Sequence, residues 1–226
     1  MLDPAQWEAV RLTLLVALMA VAGALPVALG LGWLLARPSL PGRPLLDALV
    51  HLPMVLPPVV TGWLLLLLFG LHGPAGWMLW WLFRARLVFT AEGAALATGV
   101  MVLPLMVRTI RLSFEAVDIG LEDAAAGLGA GRLDRFVTVT LPLAAPGVLA
   151  AVAIGYAASL GEFGAVITFA GSIPGRTLTL PLAIYQALQV PGGEAVAGRL
   201  ASVSIGLALA GLLVSELLLR RLRRWT

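Results

Sequence analysis

The sequence contains neither cysteine nor lysine, and only 12% of its 226 residues are charged. Without cysteine, the chain can form no disulfide and offers no thiolate ligand to a metal ion. Without lysine, it has no Walker A loop, because that loop uses a lysine to reach the nucleotide phosphates. The chain is therefore not a P-loop ATPase, and any ATP hydrolysis that drives it must occur in another subunit.

Charged residues make up about a quarter of a soluble domain, whereas 60% of this chain is hydrophobic. A bilayer core of about 30 Å requires roughly 20 apolar residues in a helix. Backbone polar groups in lipid must be satisfied within the segment, which favours helices. The sequence predicts an all-α integral membrane protein with a single domain over 1–226. Its five spans are expected at about 12–36, 54–71, 91–107, 143–169 and 197–219.

All fifteen basic residues are arginines, and their distribution predicts the orientation of the chain. Ten follow the first, third and fifth spans: Arg37, Arg43, Arg108, Arg111, Arg132, Arg135, Arg220, Arg221, Arg223 and Arg224. Basic residues accumulate on the cytoplasmic side, so we expect an outer N-terminus and a cytoplasmic C-terminus. The loop at about 108–142 is then cytoplasmic, and the loop at about 171–193 is outside. Arginines at span ends, rather than on one soluble face, argue against nucleic acid as a partner.

The segment 121–147 interrupts the apolar runs with an ordered pattern of small residues. Asp123, Ala124 and Ala125 open a short helix, which Gly129 and Gly131 are expected to end because glycine adopts left-handed conformations easily. Pro142 can start the next helix. Small residues on a short helix allow close approach by another protein, so the segment predicts a docking helix. The alternative is an ordinary helix and turn between two spans.

A second unusual segment lies within the predicted fourth span. Gly161 and Gly164 are three residues apart, which would place them on one helix face where a neighbouring helix can pack closely. Glu162 is the acidic residue well inside this run, and an ionisable group at membrane depth suggests a function. Like charges repel, so Glu162 is a poor anion ligand. Together with Phe163, it is expected to shape a gate; alternatively, Glu162 is paired or lies near the outer interface and fixes helix packing.

Other polar residues are given structural roles. His51 and His72 lack a second ligand at metal spacing, and no nucleophile–base or paired-carboxylate grouping suggests catalysis. Arg108 and Arg111 are expected to anchor the end of the third span by snorkelling. Arg176 is expected to anchor the outer surface, with contact to an anion or its carrier as the alternative. We therefore expect no enzyme activity, cofactor or metal.

The 121–147 pattern resembles the EAA loop of inner-membrane permease subunits of ABC importers. That loop has Glu-Ala-Ala, then a glycine four residues after the second alanine, then Ile-x-Leu-Pro ten residues beyond the glycine. This chain has Asp in place of Glu and Val139 in place of Ile, and Glu122 precedes Asp123. The resemblance implies docking into a cleft of the ATPase subunit through Glu122, Asp123, Ala124, Ala125, Gly129, Leu141 and Pro142. It leaves open which carboxylate makes the contact.

Further motifs resemble the molybdate and sulfate permeases of that superfamily. They are Leu160-Gly161-Glu162-Phe163-Gly164-Ala165, Ile173-Pro174-Gly175-Arg176-Thr177 and Thr179-Leu180-Pro181-Leu182. The segments His51-Leu52-Pro53, Leu56-Pro57-Pro58-Val59-Val60 with Gly62, and Pro104-Leu105-Met106-Val107-Arg108 are similar to the molybdate members.

The resemblance implies the type I importer architecture in a bacterial or archaeal inner membrane. Its parts are two permease copies, two ATPase subunits and an external binding protein that delivers molybdate or tungstate. A sulfate or thiosulfate permease is the near alternative. A membrane enzyme or a scaffold without transport is the alternative from another class.

Overall fold

The computed structural model describes residues 2–37 and 40–222, and all regular structure in them is helical. The helices are α1 Pro4–Ala36, α2 Arg43–Val55, α3 Pro58–Phe69, α4 Pro74–Phe83, α5 Ala91–Glu115, α6 Ile119–Gly127, α7 Arg132–Arg135, a π-helix Phe136–Thr140, α8 Leu141–Ser159, α9 Gly164–Phe169, α10 Leu180–Leu188 and α11 Glu194–Leu222. Arg223 and Arg224, two of the arginines used to predict orientation, lie outside the described residues.

Four helical stretches are long and apolar enough to cross a membrane: Pro4–Ala36, Ala91–Glu115, Arg132–Ser159 and Glu194–Gly211. A fifth crossing is possible if α2 and α3 together form one span. The predicted all-helical fold and its approximate number of spans are confirmed within the described residues.

The predicted second span at about 54–71 is not one straight helix. Helices α2 and α3 meet at an angle of 113°, and the chain between them is extended at Leu56 (φ −72°, ψ 144°). Proline lacks an amide hydrogen and disfavours the helical conformation in the residue before it. Pro57 and Pro58 therefore end α2 and begin α3.

The predicted fourth span at about 143–169 is also broken. Helix α8 ends at Ser159, and α9 starts only at Gly164. Gly161 is an exposed turn residue, while Gly164 is the buried first residue of the new helix. The expectation that these glycines share one helix face was therefore wrong.

The third span continues to Glu115, beyond its predicted end near residue 107. Arg111 therefore lies within α5, where its guanidinium is paired with carboxylates. Its Nη1 donates to Asp47 Oδ1 of α2 at 3.0 Å, and its Nε donates to Glu115 Oε1 at 2.8 Å. Arg43 Nη2 donates to the same Glu115 oxygen at 2.9 Å. These ion pairs join α2 to the end of α5.

Helix α1 packs lengthwise against α5, and the two form the centre of the fold. Their contact buries small residues beside larger ones, including Ala28 and Leu35 of α1 and Met106, Val107 and Ile110 of α5. Close helix approach through small residues is the usual packing mode in membranes, where burial of apolar side chains supplies little driving force. Gly32 marks the closest approach, because a Cβ there would lie 2.8 Å from Ile110 Cγ2.

Substitution of Gly32 tests this packing. We expect Gly32→Ala to destabilise the protein by about 1–3 kcal/mol, because Ile110 is fully buried and cannot move aside cheaply. Gly30→Ala is the matched control: it lies on the same helix with no atom within 4 Å of the added methyl group. It should be neutral or stabilising by up to about 1 kcal/mol through helix propensity. Thermal unfolding in detergent measures both, and equal melting temperatures would contradict the prediction.

Candidate functional site

The predicted docking segment forms the short helix α6. The side chain of Asp118 caps its start by accepting from the Gly120 amide at 2.8 Å. At its end, the Gly129 amide donates to the Ala126 carbonyl at 2.9 Å and the Ala130 amide donates to Ala125 at 3.0 Å. This is the Schellman arrangement, which needs a left-handed residue after the helix. Gly129 supplies it with φ of +90°, so the prediction that this glycine ends the helix is confirmed.

Gly131 does not end α6. It has φ of −68° and ψ of 168°, and it is the residue before α7. Helix α6 itself contains no buried residue. Ile119 is 72% exposed, and Leu128, just after the helix, is 90% exposed. The large apolar side chains of Ile119 and Leu128 and the small residues of α6 therefore form an exposed surface. Exposed apolar surface of this kind is common where another protein binds.

The two adjacent carboxylates on α6 point to different environments. Glu122 is half-buried and accepts from Thr140 Oγ1 at 2.5 Å, across 18 residues of sequence. Asp123 is exposed. Glu122 thus connects α6 to the π-helix, whereas the side chain of Asp123 is exposed.

Leu141 and Pro142 begin α8, but α8 directly continues the helical segment before it. Helix α7, the π-helix and α8 run continuously from Arg132 to Ser159. The Leu141 amide donates to Phe136, five residues earlier, and not to the usual residue four earlier. Proline removes one amide and crowds the preceding turn, and a wider π-turn is one way to accommodate it. Pro142 therefore sits early in a helix that starts ten residues before it.

The candidate gate residues form the junction between α8 and α9. Glu162 Oε1 accepts from the Ala165 amide at 3.0 Å, which satisfies one free amide at the start of α9. The ring of Phe163 packs against Tyr185 of α10, with centroids 5.1 Å apart. Glu162 thus caps the start of α9, a role that neither sequence interpretation named. This contact does not test whether Glu162 acts in gating, so a gating role for Glu162 is a proposal.

The two helix breaks lie side by side, which sequence reasoning missed. A Cβ on Gly62 of α3 would lie 2.7 Å from the Ala165 carbonyl oxygen of α9. A Cβ on Gly164 would lie 2.6 Å from Pro58 Cβ. The start of α3 and the start of α9 therefore touch almost backbone to backbone. Pro57-Pro58 followed by Gly62 was the available sequence signal for this arrangement.

Comparison with known proteins identifies relatives over nearly the whole chain. The family model described as "Binding-protein-dependent transport system inner membrane component" matches residues 28–224. The molybdenum transport system permease protein ModB of Escherichia coli K12 is 51% identical over 218 residues, covering 96% of this chain and 95% of that protein. ModB of Haemophilus influenzae is 47% identical over 217 residues, covering 96% and 95%. The sulfate permease CysT of Salmonella typhimurium is 38% identical over 206 residues, covering 90% and 74%.

Solved transporters share the fold at low sequence identity. A bacterial ABC transporter that imports alginate superposes with a TM-score of 0.77 at 18% identity, covering 97% of this chain and 80% of the other. The inward-facing MetNI methionine ABC transporter gives 0.74 at 18% identity, covering 98% and 99%. The chain therefore has the fold of ABC importer permeases.

Proposed function

Because the chain belongs to the family of binding-protein-dependent transport system inner membrane components, we propose that it is the permease subunit of an ATP-driven molybdate importer. The observation that carries the choice of anion is 51% identity to a molybdenum permease across 96% of the chain, against 38% to a sulfate permease. Its relatives are transport components and not enzymes. The sequence-based prediction of an ABC importer permease is thus confirmed, and molybdate is the proposed ligand, with tungstate as a chemically similar one.

In this proposal α6 is the helix that the ATPase subunit grips. Asp123, Ala124 and Ala125 lie on it, and Gly129 closes its end. Its exposed surface and its small residues suit insertion into a cleft. The surrounding segment at about 108–142 would then face the cytoplasm, with the N-terminus outside and the C-terminus inside. A permease with no Walker A lysine needs such a contact in order to use ATP.

Movement of α6 would reach the membrane through two connections. One is the hydrogen bond from Thr140 to Glu122, and the other is the short turn between α6 and α7. The helix Arg132–Ser159 then runs for 28 residues, or about 42 Å at 1.5 Å per residue. It ends at the junction with α9. Closure of the ATPases would thus shift a stiff rod whose far end is the candidate gate, a rigid-body switch between two packed states.

The gate that we propose is the junction of Gly161, Glu162, Phe163 and Gly164. A junction between two helices can change its backbone angles with less disruption than a helix interior can. Glu162 holds the start of α9, and Phe163 contacts α10. A change at this junction would therefore be transmitted to α3, which touches α9, and to the outer segment at about 171–193.

One chain alone has few helices to surround a hydrated path for a doubly charged tetrahedral anion, and stripping water from such an ion is costly. We propose that two copies form the path at their boundary, lined by backbone dipoles and small residues. Two copies also present two α6 helices to two ATPase subunits. An external binding protein would deliver the anion and determine most of the selectivity. The assembly would lie in the inner membrane of a bacterium or archaeon.

Uptake into vesicles tests the proposed function directly. Vesicles would contain this permease with its own ATPase and external binding protein, together with radiolabelled molybdate or sulfate. We expect ATP-dependent molybdate uptake that excess unlabelled sulfate does not suppress. Sulfate uptake with molybdate ignored would replace the proposed ligand with that of the sulfate relatives. Absence of ATP dependence for both anions would contradict the importer mechanism.

Gly129→Asp tests the docking helix. An L-residue in the left-handed region costs about 1–2 kcal/mol, and the substitution adds a charge at the proposed contact. We expect normal membrane insertion but at least about tenfold weaker retention of the ATPase, equivalent to about 1.4 kcal/mol. Gly192→Asp is the matched control, because Gly192 has φ of +79° and open space around it as Gly129 does. Equal ATPase retention by both variants would remove α6 from the interface.

Glu162→Gln tests the gate. Glutamine keeps an oxygen for the Ala165 amide but loses the charge. A charge-assisted bond is stronger than a neutral one by about 1 kcal/mol, which corresponds to roughly a fivefold slower uptake if opening depends on it. Glu194→Gln, at the exposed start of α11, is the control for loss of one carboxylate. Wild-type uptake rates in Glu162→Gln would assign Glu162 a packing role only.

A further inference from the structure

A cavity of about 280 Å³ lies where the end of α1, helix α6 and the segment from α7 to the π-helix come together. Its lining contains three arginines, one carboxylate, one hydroxyl and two aromatic rings: Arg37, Arg132, Arg135, Glu122, Thr140, Trp33 and Phe136. The volume is at the small end of the range for ligand sites. It suits an ion or a lipid headgroup better than a large organic molecule.

The charges around this cavity are unbalanced. Three guanidinium groups carry three positive charges, and Glu122 carries one negative charge, which leaves two positive charges uncompensated. Among the described side chains, no carboxylate forms an ion pair within 4.0 Å of Arg37, Arg132 or Arg135. Glu122 instead accepts from Thr140.

Two arginines elsewhere in the protein form ion pairs with carboxylates. Arg111 has two carboxylate partners, and Arg43 shares one of them. The chain thus places acids beside arginines where an internal ion pair holds two helices together. At the cavity three arginines converge without such partners, which is the arrangement of an anion site more than of a structural ion pair.

Two details describe the surroundings of the Arg37 and Arg135 side chains. The Arg37 guanidinium lies 3.7 Å from the centre of the Trp33 ring, which fixes the plane of its donors. The Nε of Arg135 is buried and has no hydrogen-bond partner. A buried donor without an acceptor is costly, so an acceptor supplied by a bound group would stabilise the site.

We propose that this cavity binds a tetrahedral oxyanion group, either free in solution or as the phosphate of an acidic lipid. Arginine presents its N–H donors as a planar fork that matches phosphate-like oxygens, and such charge-assisted bonds are short and strong. Trp33 and Arg37 end the long apolar helix α1, a position typical of the membrane–water interface, where both sources are within reach. The site is separate from the proposed path and does not depend on which anion is transported.

Bound anion would also lie next to Glu122, the residue that connects α6 to the π-helix. Its negative charge would lie in the same cavity as the Glu122 carboxylate, and like charges repel. Occupancy of the cavity is therefore expected to alter how firmly α6 is held against the rest of the chain.

The experiment compares wild type with Arg135→Gln and Arg135→Lys, each purified as the complex with the ATPase subunit at fixed salt. One arm measures binding of radiolabelled inorganic phosphate by equilibrium dialysis. The other uses nanodiscs with equal phosphatidylglycerol and phosphatidylcholine, and measures by native mass spectrometry which lipid stays bound. We expect Arg135→Gln to weaken binding by at least about tenfold, since a hydrogen bond to a charged group is lost. Arg135→Lys should lie between, because it keeps the charge without the fork.

Arg108→Gln is the matched control, because Arg108 is exposed on α5, does not line this cavity and loses the same charge. If Arg135→Gln loses phosphate binding and Arg108→Gln does not, the ligand is a free anion. Loss of phosphatidylglycerol in Arg135→Gln alone identifies an acidic lipid. The proposal is overturned if wild type and Arg135→Gln bind both probes equally well. It is also overturned if neither protein binds either probe. An equal loss in Arg108→Gln would also overturn it, since overall charge would then explain the effect.

Discussion

A helix that stops inside a membrane leaves amide and carbonyl groups that lipid cannot satisfy, and this constraint explains much of the structure. Each unsatisfied group costs several kcal/mol in hydrocarbon. Two of the predicted spans are broken, one at Leu56-Pro57 and the other at 160–163, and both breaks have contacts that compensate. Glu162 accepts from an amide of α9, and the starts of α3 and α9 pack so closely that Gly62 and Gly164 have no room for a side chain. The two irregular points thus shield each other.

A hydrogen bond and one long helix connect the α8–α9 break to the exposed helix α6. Helix α6 has no buried residue, so on its own it would be held only by its ends. The Glu122–Thr140 hydrogen bond attaches it to the continuous helix that ends at Ser159. An exposed helix and the junction between α8 and α9 are therefore joined by one continuous helix. This gives the proposed transport cycle a physical route from the ATPase to the gate.

Local patterns in the sequence predicted the features that depend on local chemistry. Hydrophobic length gave the spans, and Gly129 closed α6 because the left-handed turn needs glycine there. The EAA pattern predicted the family. The misses lie inside two predicted spans: α8 ends at Ser159 before α9 begins at Gly164, and α2 meets α3 at an angle of 113°. The start of α9 packs against the start of α3, far away in the chain, and local sequence patterns do not reveal such a contact. Hydropathy cannot distinguish one bent span from one straight span, since both bury the same residues.

The π-helix at Phe136–Thr140 has a consequence for how this stretch is compared with other sequences. Each residue of an α-helix turns the chain by about 100°, and a wider turn inserts roughly one residue into that rotation. Side chains before Phe136 and after Thr140 are therefore out of phase with a single regular wheel drawn through 132–159. A wheel centred on the apolar residues of α8 would point Arg132 and Arg135 to the wrong azimuth. The π-helix therefore offsets Arg132 and Arg135, which line the cavity with Trp33 and Glu122, from the positions that a regular helix through α8 would give them.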